Sequence, residues 1–341
     1  MYSKIIEEDC RYILSQTDNL KWLQGKTLFV TGVNGLIASY IVETVYYANK
    51  VNKKPITLFG IYRSESDRLN HIEDENIILS KHDLTIPSTL MFSVKADYVF
   101  HFACNSSPDY FTKRPTETIR NNVFITNWLL RDASECNATF VFASSGEVYG
   151  HPDIIPTPET YEGKSLTSDS RAGYIESKRC AEALCYAYAK EKSVKFKILR
   201  PFIVYGPGYK KDDLRVIPTF IRSALTKKGI TLKSDGSETR SFCYVADALC
   251  QILRLLALPQ SDTFNVGSQA EMSIVGLAGT IMLNILSEGT FASINTGKLP
   301  ATGALRVCPD MSKTLKAINY ENQYSLDKGI DRTIQYFKEV L

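Results

Sequence analysis

Patterns for metal binding and for disulfide bonding are missing from this chain of 341 residues. Its eight cysteines form no Cys-x-x-Cys pair, and its four histidines are scattered along the sequence. A zinc site needs clustered sulfur and nitrogen ligands. We therefore expect no metal site, and we expect the cysteines to be small core residues of a protein from a reducing compartment.

An excess of charge of one sign is also missing, because 40 lysine and arginine residues balance 37 aspartate and glutamate residues. Such a chain carries no sequence-wide footprint for nucleic acid or for an anionic membrane surface. It has no run of 18 apolar residues, and its first residues do not form a signal peptide. We expect a cytoplasmic protein that binds neither nucleic acid nor a membrane.

The sequence does contain short apolar runs that alternate with helical patterns. Residues 118–133 and 174–191 have the spacing of helices, and a last helix is expected near 325–340. Continuous apolar runs between amphipathic helices are typical of an α/β fold whose parallel sheet is covered on both faces. The predicted strands are 27–31, 56–62, 76–79, 98–103, 139–143 and 196–199.

A glycine turn follows the first of these strands and opens a helix. Gly32 permits the tight turn, and Gly35 lets the backbone approach a pyrophosphate at the helix N-terminus, where free N–H groups face the anion. Ala38 is small enough for close packing of the helix on the strand. In this context the pattern predicts a dinucleotide site. Its residues are Gly32, Asn34, Gly35, Leu36 and Ile37.

The choice between NAD and NADP depends on the end of the second strand. An acid is expected there for NAD, because a carboxylate accepts a hydrogen bond from the ribose 2′-hydroxyl. The strand instead ends in Tyr62-Arg63-Ser64, and Arg63 favours the 2′-phosphate of NADP. Asp83 and Leu84 follow the third strand and are predicted to meet the adenine. Both cofactors remain open.

A serine, a tyrosine and a lysine form the candidate catalytic set. The Tyr-x-x-x-Lys spacing occurs five times, so position decides between the copies. Only Tyr174 and Lys178 begin a helix 29 residues after Ser145, which itself follows a predicted strand. Hydride transfer to a carbonyl leaves an alkoxide that needs a proton, and the usual tyrosine pKa of about 10 is too high for ready exchange. We expect the Lys178 ammonium, together with a cationic nicotinamide ring, to lower the pKa of Tyr174, while Ser145 holds the substrate oxygen.

These residues resemble the extended short-chain dehydrogenase/reductases of the NAD-dependent epimerase/dehydratase family, which modify nucleotide sugars. The similarity runs from about residue 25 and includes the stretches 100–103, 144–150, 200–202, 235–245 and 265–267. The resemblance implies a Rossmann-type doubly wound sheet with a smaller C-terminal substrate lobe. It also implies a cofactor contact at Ala103 and a nucleotide-diphosphate sugar as the partner molecule.

Within this family the chain looks similar to UDP-glucuronate decarboxylases and to dTDP-4-keto-6-deoxyglucose reductases. Ser107-Pro108-x-Tyr110 carries the likeness to the decarboxylases, together with the stretch 235–245. The resemblance implies that Ser107 and Tyr110 contact the sugar. It also implies that Arg240 and Arg306 lie near the diphosphate.

The residues after Ser145 separate the possible reactions. Gly146-Glu147 stands where the 4,6-dehydratases of the family carry Asp-Glu and the decarboxylases carry Ser-Glu. Glycine donates no proton, which disfavours dehydration and argues against decarboxylation. Together with Arg63, this favours NAD(P)H-dependent reduction of a nucleotide-linked 4-keto-6-deoxyhexose for surface polysaccharide, with Glu147 orienting the sugar.

Two other readings remain open. UDP-glucuronate decarboxylation or nucleotide-sugar epimerisation, each with retained NAD, is the first alternative. A non-catalytic dinucleotide sensor is the second, and it is disfavoured because the Ser-Tyr-Lys set has no use in sensing. Reduction is preferred over any single alternative.

The same reading divides the chain. We expect a helical arm over residues 1–25 and a dinucleotide-binding domain over 26–200, to which residues 243–267 return. Residues 201–242 and 268–341 are expected to form the nucleotide-sugar lobe. By analogy with relatives, the helices near 118–133 and 174–191 are expected to pair across a two-fold axis in a homodimer.

Overall fold

The computed structural model describes residues 2–86, 95–210, 212–227, 229–286, 293–297 and 304–341. Its helices are α1 (Lys4–Gln16), α2 (Leu36–Asn49), α3 (Pro108–Lys113), α4 (Pro115–Cys136), α5 (Ala172–Lys192), α6 (Val216–Lys227), α7 (Val245–Leu256), α8 (Ile274–Leu286), α9 (Ser312–Ile318) and α10 (Leu326–Val340). Its strands are β1 (Thr27–Thr31), β2 (Thr57–Tyr62), β3 (Ile77–Lys81), β4 (Tyr98–His101), β5 (Thr139–Ala143), β6 (Phe196–Pro201), β7 (Ile203–Tyr205), β8 (Gly229–Thr231), β9 (Thr239–Tyr244), β10 (Asp262–Val266), β11 (Glu271–Ser273), β12 (Ser293–Asn295) and β13 (Arg306–Val307).

A parallel sheet of seven strands forms the centre of the described part of the chain. Its strand order is β10-β6-β5-β4-β1-β2-β3, so the winding reverses between β1 and β4. In open α/β sheets, ligands bind outside the carboxyl ends of the strands at such a reversal. This topology confirms the predicted Rossmann-type doubly wound fold.

Strand β1 shows why the predicted strands read as continuous apolar runs. Leu28 and Val30 are buried in a core cluster that also holds residues of α1, α2 and α7. Phe29 points the other way, into a second cluster with residues of α4 and α5. Alternate side chains of a strand face opposite sides of the sheet. Because a core cluster covers each side, residues on both faces are apolar.

The cysteines follow the core prediction only in part. Cys10, Cys185, Cys243, Cys250 and Cys308 are buried, whereas Cys180 lies exposed on α5. The prediction is therefore wrong for Cys180. Within the described ranges, no helix is long and apolar enough to span a membrane, and no group of three potential metal ligands occurs.

A second set of short strands follows the parallel sheet. Strand β9 is flanked by β11 and β13 and also pairs with β7, while β8 pairs with β12. The apolar periodicity did not predict these strands, several of which have only three residues. Phe220, Leu277 and Phe337 belong to the same core cluster as β1, so a continuous apolar core joins this region to the sheet.

A buried carboxylate fixes the N-terminal helix. Asp9 Oδ2 accepts hydrogen bonds from the Tyr40 hydroxyl at 2.8 Å and from the Tyr244 hydroxyl at 2.7 Å. Its Oδ1 lies 2.7 Å from Arg332 Nη2. Burial raises the pKa of Asp9 to about 6 although Arg332 opposes the shift. Because a buried charge needs partners, this single group ties α1 to α2, β9 and α10.

Candidate active site

The glycine turn lies at the point where the sheet reverses its winding. Gly32 has φ +76°, and a Cβ there would stand 2.8 Å from the Ala103 Cα at the end of the neighbouring strand. Gly35 caps α2 without a side-chain hydrogen bond, and first-turn N–H groups of a helix lack intrahelical partners. The turn therefore offers the narrow backbone and the N–H groups, those of Leu36 and Ile37 included, that suit a pyrophosphate.

The other predicted cofactor residues surround one rim of this turn. Asn34 Nδ2 donates to the Ser64 carbonyl oxygen at 2.6 Å and so ties the turn to the loop after β2. Arg63 lies exposed in that loop. Asp83 accepts hydrogen bonds from Thr85, which lower the pKa of its carboxyl, and the Arg63 charge acts in the same direction.

Leu84 occupies a different position from its neighbours on this rim. Its side chain is buried in the second core cluster with Phe29 and Ile61. It lies beneath the rim as part of the core.

Ser145, Tyr174 and Lys178 meet at the carboxyl end of β5. Ser145 caps a short 3₁₀ turn over Gly146–Tyr149, and its Oγ accepts a hydrogen bond from the Glu147 N–H at 3.2 Å. Lys178 Nζ donates to the Ala143 carbonyl at 2.7 Å and lies 5.9 Å from the centre of the Tyr174 ring. Lys178 is thus held by the strand end, with the tyrosine one helical turn before it.

The chain's own residues shift the pKa of Tyr174 upward, whereas the sequence predicts a lowered pKa with Lys178 and a nicotinamide ring together. Burial raises the pKa of this phenol well above its usual value, and the nearby Cys104 thiol acts in the same direction. A hydrogen bond with Ser145 and the charge of Arg171 lower the pKa but do not offset burial. The desolvation of a nearly inaccessible ring outweighs its polar neighbours, so the net shift of this pKa is upward.

Glu147 is held by an arginine that the sequence reasoning missed. Arg171 Nε and Nη2 donate to the two carboxylate oxygens of Glu147 at 2.9 and 2.7 Å. Arg171 stands three residues before Tyr174, in the turn that leads into α5. The only signal in the sequence was a cation next to the catalytic helix, which is too common to be informative.

An aromatic ring links Arg171 to Tyr174. The Phe111 ring stacks on the Tyr174 ring, with centroids 4.6 Å apart and planes at 13°. The Arg171 guanidinium carbon lies 5.1 Å from the centre of the same Phe111 ring. Offset rings and cations over rings attract each other. The contacts place Arg171, Phe111 and Tyr174 along one wall of the site.

A buried network supports the turn that carries Ser145 and Glu147. Ser144 Oγ donates to Glu182, whose carboxylate also binds Arg200 at 2.6 Å. Arg200 Nη1 donates to the Tyr149 hydroxyl at 3.0 Å, and that hydroxyl donates to Asn265 Oδ1 at 2.7 Å. Both ends of the turn are therefore fixed by side chains with buried or largely buried partners.

The predicted substrate residues fall in two places. Ser107 caps α3, and the Tyr110 hydroxyl donates to Glu117 at 2.6 Å, so this tyrosine is already engaged within the chain. Arg240 Nη1 donates to the carbonyls of Thr239 and Leu305 at 2.7 and 3.3 Å. Burial lowers the pKa of Arg240, and the charge of Glu147 acts in the opposite direction.

Arg306 lies on the strand next to Arg240 but is engaged elsewhere. Its guanidinium donates to both carboxylate oxygens of Glu271 at 2.7 and 2.6 Å. About half of the Arg306 side chain is exposed. The cations predicted to meet the diphosphate are therefore neighbours on one small sheet, although Arg240 is half-buried and Arg306 is paired at the surface.

Comparisons with known proteins agree with this geometry. The sequence profile described as the NAD dependent epimerase/dehydratase family matches residues 28–267. UDP-glucuronic acid decarboxylase 6 of Arabidopsis thaliana is 32% identical over 92% of this chain and 89% of its own. The structure of an epimerase from Methanothermobacter thermautotrophicus is 25% identical with a TM-score of 0.83 and covers 95% of each chain.

A third comparison shares the fold alone. UDP-glucuronic acid 4-epimerase from Bacillus cereus, solved with UDP-glucuronic acid and NAD, has a TM-score of 0.80 at 21% identity. It covers 92% of this chain and all of its own.

The doubly wound sheet, the glycine turn and the Ser-Tyr-Lys set define an extended short-chain dehydrogenase/reductase. More particularly, the chain belongs to the NAD dependent epimerase/dehydratase family. It is thus an NAD-dependent enzyme of a family that modifies nucleotide sugars. Of the two cofactors that the sequence left open, the family description names NAD.

Proposed function

We propose that this protein acts on a UDP-linked hexuronic acid, oxidises it at C4 and releases the C6 carboxylate as CO₂. The observation that carries the proposal is the 32% identity to a UDP-glucuronic acid decarboxylase over 92% of the chain. The comparisons thus favour the alternative left open by the sequence over ketoreduction. The nucleotide-linked 4-keto-6-deoxyhexose becomes the competing substrate in the test below.

The residues of the glycine turn suit the dinucleotide that the family uses. Gly32, Asn34, Gly35, Leu36 and Ile37 would hold its pyrophosphate, because the turn has no side chain where Gly32 meets Ala103. When bound, NAD supplies a reversible hydride acceptor. Arg63, Asp83, Leu84 and Ala103 are proposed to line its remaining length.

The catalytic residues would handle protons at the sugar's O4. Ser145 would hold this oxygen, and Tyr174, as a phenolate, would take its proton when C4 becomes a carbonyl. Lys178, anchored on the Ala143 carbonyl, would stabilise that phenolate before the proton arrives. Because burial raises the pKa of Tyr174, its phenolate is a strong base for the O4 proton, and the phenol returns that proton to O4 when hydride comes back to C4.

A carbonyl at C4 makes the C6 carboxylate part of a β-keto acid. The C5–C6 bond then breaks and CO₂ leaves. The electron pair of that bond stays on the sugar and forms an enolate whose negative charge rests on O4. Ser145 and the protonated Tyr174 can donate hydrogen bonds to that oxygen, which is how enzymes stabilise a developing oxyanion. Protonation at C5 and reduction at C4 complete a UDP-linked pentose.

Epimerisation of the same substrate at C4 is the second candidate, and Gly146 favours it. A Cβ at this position would lie 3.1 Å from the Phe202 ring, so the serine typical of the decarboxylases has little room here. Gly146 offers no proton for C5, and an epimerase needs none. The family structure at 25% identity is described as an epimerase.

One assay separates these reactions. The purified protein is incubated with NAD and UDP-glucuronate, and the products are followed by trapped CO₂, mass spectrometry and chromatography. Decarboxylation gives CO₂ and a UDP-pentose, whereas epimerisation gives UDP-galacturonate of unchanged mass. An enzyme that leaves UDP-glucuronate untouched but consumes NADPH with a dTDP-4-keto-6-deoxyhexose would contradict the proposal and restore the ketoreductase.

We also propose that the protein is a homodimer through α4 and α5. Ile119 and Phe124 on α4 are each 45% exposed, and Tyr186 on α5 is 51% exposed. Large apolar side chains on neighbouring helices favour a second copy of this chain as the cover. Light scattering should give twice the chain mass, and a monomeric mass would contradict the proposal.

A further inference from the structure

Arg171 has an unusual combination of contacts for a residue outside the predicted catalytic set. Its Nε and Nη2 hold Glu147, and its guanidinium lies over Phe111, the ring that stacks on Tyr174. About a quarter of its side chain is exposed, and Glu147 is 39% exposed. The pair therefore lines the open crevice and is not buried in the core.

The ion pair uses only one edge of the guanidinium. An arginine has five N–H donors in a planar fork, and Glu147 takes those of Nε and one of Nη2. The remaining edge can bind a second carboxylate while Glu147 and Phe111 hold the plane in place. Arginine suits this task because its fork matches the two oxygens of a carboxylate.

Arg171 and Arg240 lie within electrostatic reach of each other near the site. Burial lowers the pKa of Arg240, the charges of Glu238 and Glu147 oppose that shift, and the charge of Arg171 adds to it. Arg240 donates to the carbonyls of Thr239 and Leu305, and its strand pairs with the strand that carries Arg306. Of the two arginines, Arg171 is the one linked directly to the catalytic tyrosine.

The chemistry of the substrate decides which group reaches Arg171. In a hexuronic acid the carboxyl carbon C6 is bonded to C5, the direct neighbour of C4. A sugar whose O4 meets Ser145 and Tyr174 therefore has its carboxylate within a few bonds of that contact. We propose that Arg171 binds the C6 carboxylate and makes the enzyme specific for uronic acids over neutral hexoses.

This inference rests on the proposed function and can be tested apart from it. The dissociation constants of UDP-glucuronate and UDP-glucose are measured by calorimetry for the wild-type protein and for Arg171→Met. We expect the preference for the acid sugar to fall about tenfold to a hundredfold, as for the loss of a hydrogen-bonded charge. Affinity for UDP-glucose, which has no carboxylate, should change far less.

Three further variants distinguish recognition from support of the fold. Arg171→Lys keeps the charge and should restore part of the preference. Glu147→Gln with Arg171→Met removes both charges, leaves no unpaired carboxylate, and should still lose the preference. Arg306→Met is the matched control, because a lost diphosphate contact weakens both sugars equally.

Each outcome bears on one of the two proposals. A wild-type protein that binds UDP-glucuronate no better than UDP-glucose would contradict the proposed function itself. A wild-type preference that survives in Arg171→Met and in the double variant would overturn the role of Arg171 alone. Equal weakening of both sugars in these variants would also overturn it, since it would show that Arg171 only supports Glu147.

Discussion

The proposed dinucleotide side and the proposed sugar side of the site differ in the groups that line them. The dinucleotide side is backbone: Gly32 lies against Ala103, and α2 begins at Gly35 without a side-chain cap. The sugar side is made of charged side chains in pairs, such as Arg171 with Glu147 and Arg306 with Glu271. Backbone geometry is set locally and suits one fixed ligand. Ion pairs between distant residues can be rearranged and suit variable substrates.

The largest effect is expected at the junction of the two sides. Tyr174→Phe removes the only proposed proton carrier, and general acid–base catalysis contributes on the order of 10² to 10⁴ in rate. Turnover of UDP-glucuronate should fall by that factor, while dinucleotide binding measured by fluorescence stays unchanged. Tyr188→Phe is the control, because Tyr188 has the same spacing to Lys192 but bonds Asn127 on the helix surface.

The next largest effect is the pH dependence of stability that we expect from the buried His101 at the end of β4. Burial lowers the pKa of His101 to about 3, and the nearby Lys178 charge acts in the same direction. As the pH drops, His101 takes up a proton in the unfolded chain but not in the folded chain. The free energy of unfolding therefore falls. Between about pH 6.5 and about pH 4.5 this group should account for about 2–3 kcal/mol of lost stability.

Urea unfolding across this pH range checks the prediction. His101→Phe keeps an aromatic ring beside Phe140 and Phe142 and should flatten the pH dependence by that amount. His151→Phe, at an exposed position, should leave the wild-type slope. An unchanged slope in His101→Phe would show that this histidine is not buried in its neutral form.

A third prediction tests whether the backbone turn tolerates any side chain. Gly32→Ala places a methyl group 2.8 Å from the Ala103 Cα at a positive φ. Strain of this kind costs about 1–3 kcal/mol, and the affinity for NAD should fall as well. Gly279→Ala meets no atom within 4 Å in α8 and should stabilise the protein by about 0.5–1 kcal/mol. Thermal unfolding measures the stability of the two variants, and titration measures their affinity for NAD. Equal effects of Gly32→Ala and Gly279→Ala would contradict this prediction.

The smallest effect is the difference that we expect between Arg240 and Arg306, the two arginines proposed to contact the diphosphate. Arg240→Met should raise the KM for UDP-glucuronate by about tenfold, because a partly buried cation binds a phosphate strongly. Arg306→Met should raise it only about threefold, because an exposed and already paired arginine contributes little. Steady-state kinetics at fixed NAD measures both. A larger effect at Arg306 would show that its pair with Glu271 opens when substrate binds.

The sequence predicted the elements of the parallel sheet better than the short strands that follow. Strands β1 and β5 begin and end where the apolar runs do, and α4 and α5 extend the predicted helices by a few residues. These features depend on periodicity and turn residues, which are local. The short strands around β9 escaped prediction because three residues are too few for a pattern.

The site divides in the same way. Ser145, Tyr174 and Lys178 could be proposed because two of them share a helix and the third follows closely on a strand. Arg171 could not, because its importance comes from Glu147, 24 residues earlier in the chain. The upward shift that burial gives the pKa of Tyr174 could not be predicted, because a sequence shows charged neighbours but not burial.

The most direct test of the account follows the hydrogen at C4 of the sugar. UDP-glucuronate labelled with deuterium at C4 is converted by the NAD-loaded protein, and the product is examined by mass spectrometry. We expect a primary isotope effect on turnover and a product that still carries the deuterium at C4, because hydride leaves and returns at the same carbon. Conversion with no isotope effect, or no conversion at all, would contradict the claim that Tyr174 serves redox chemistry at that position.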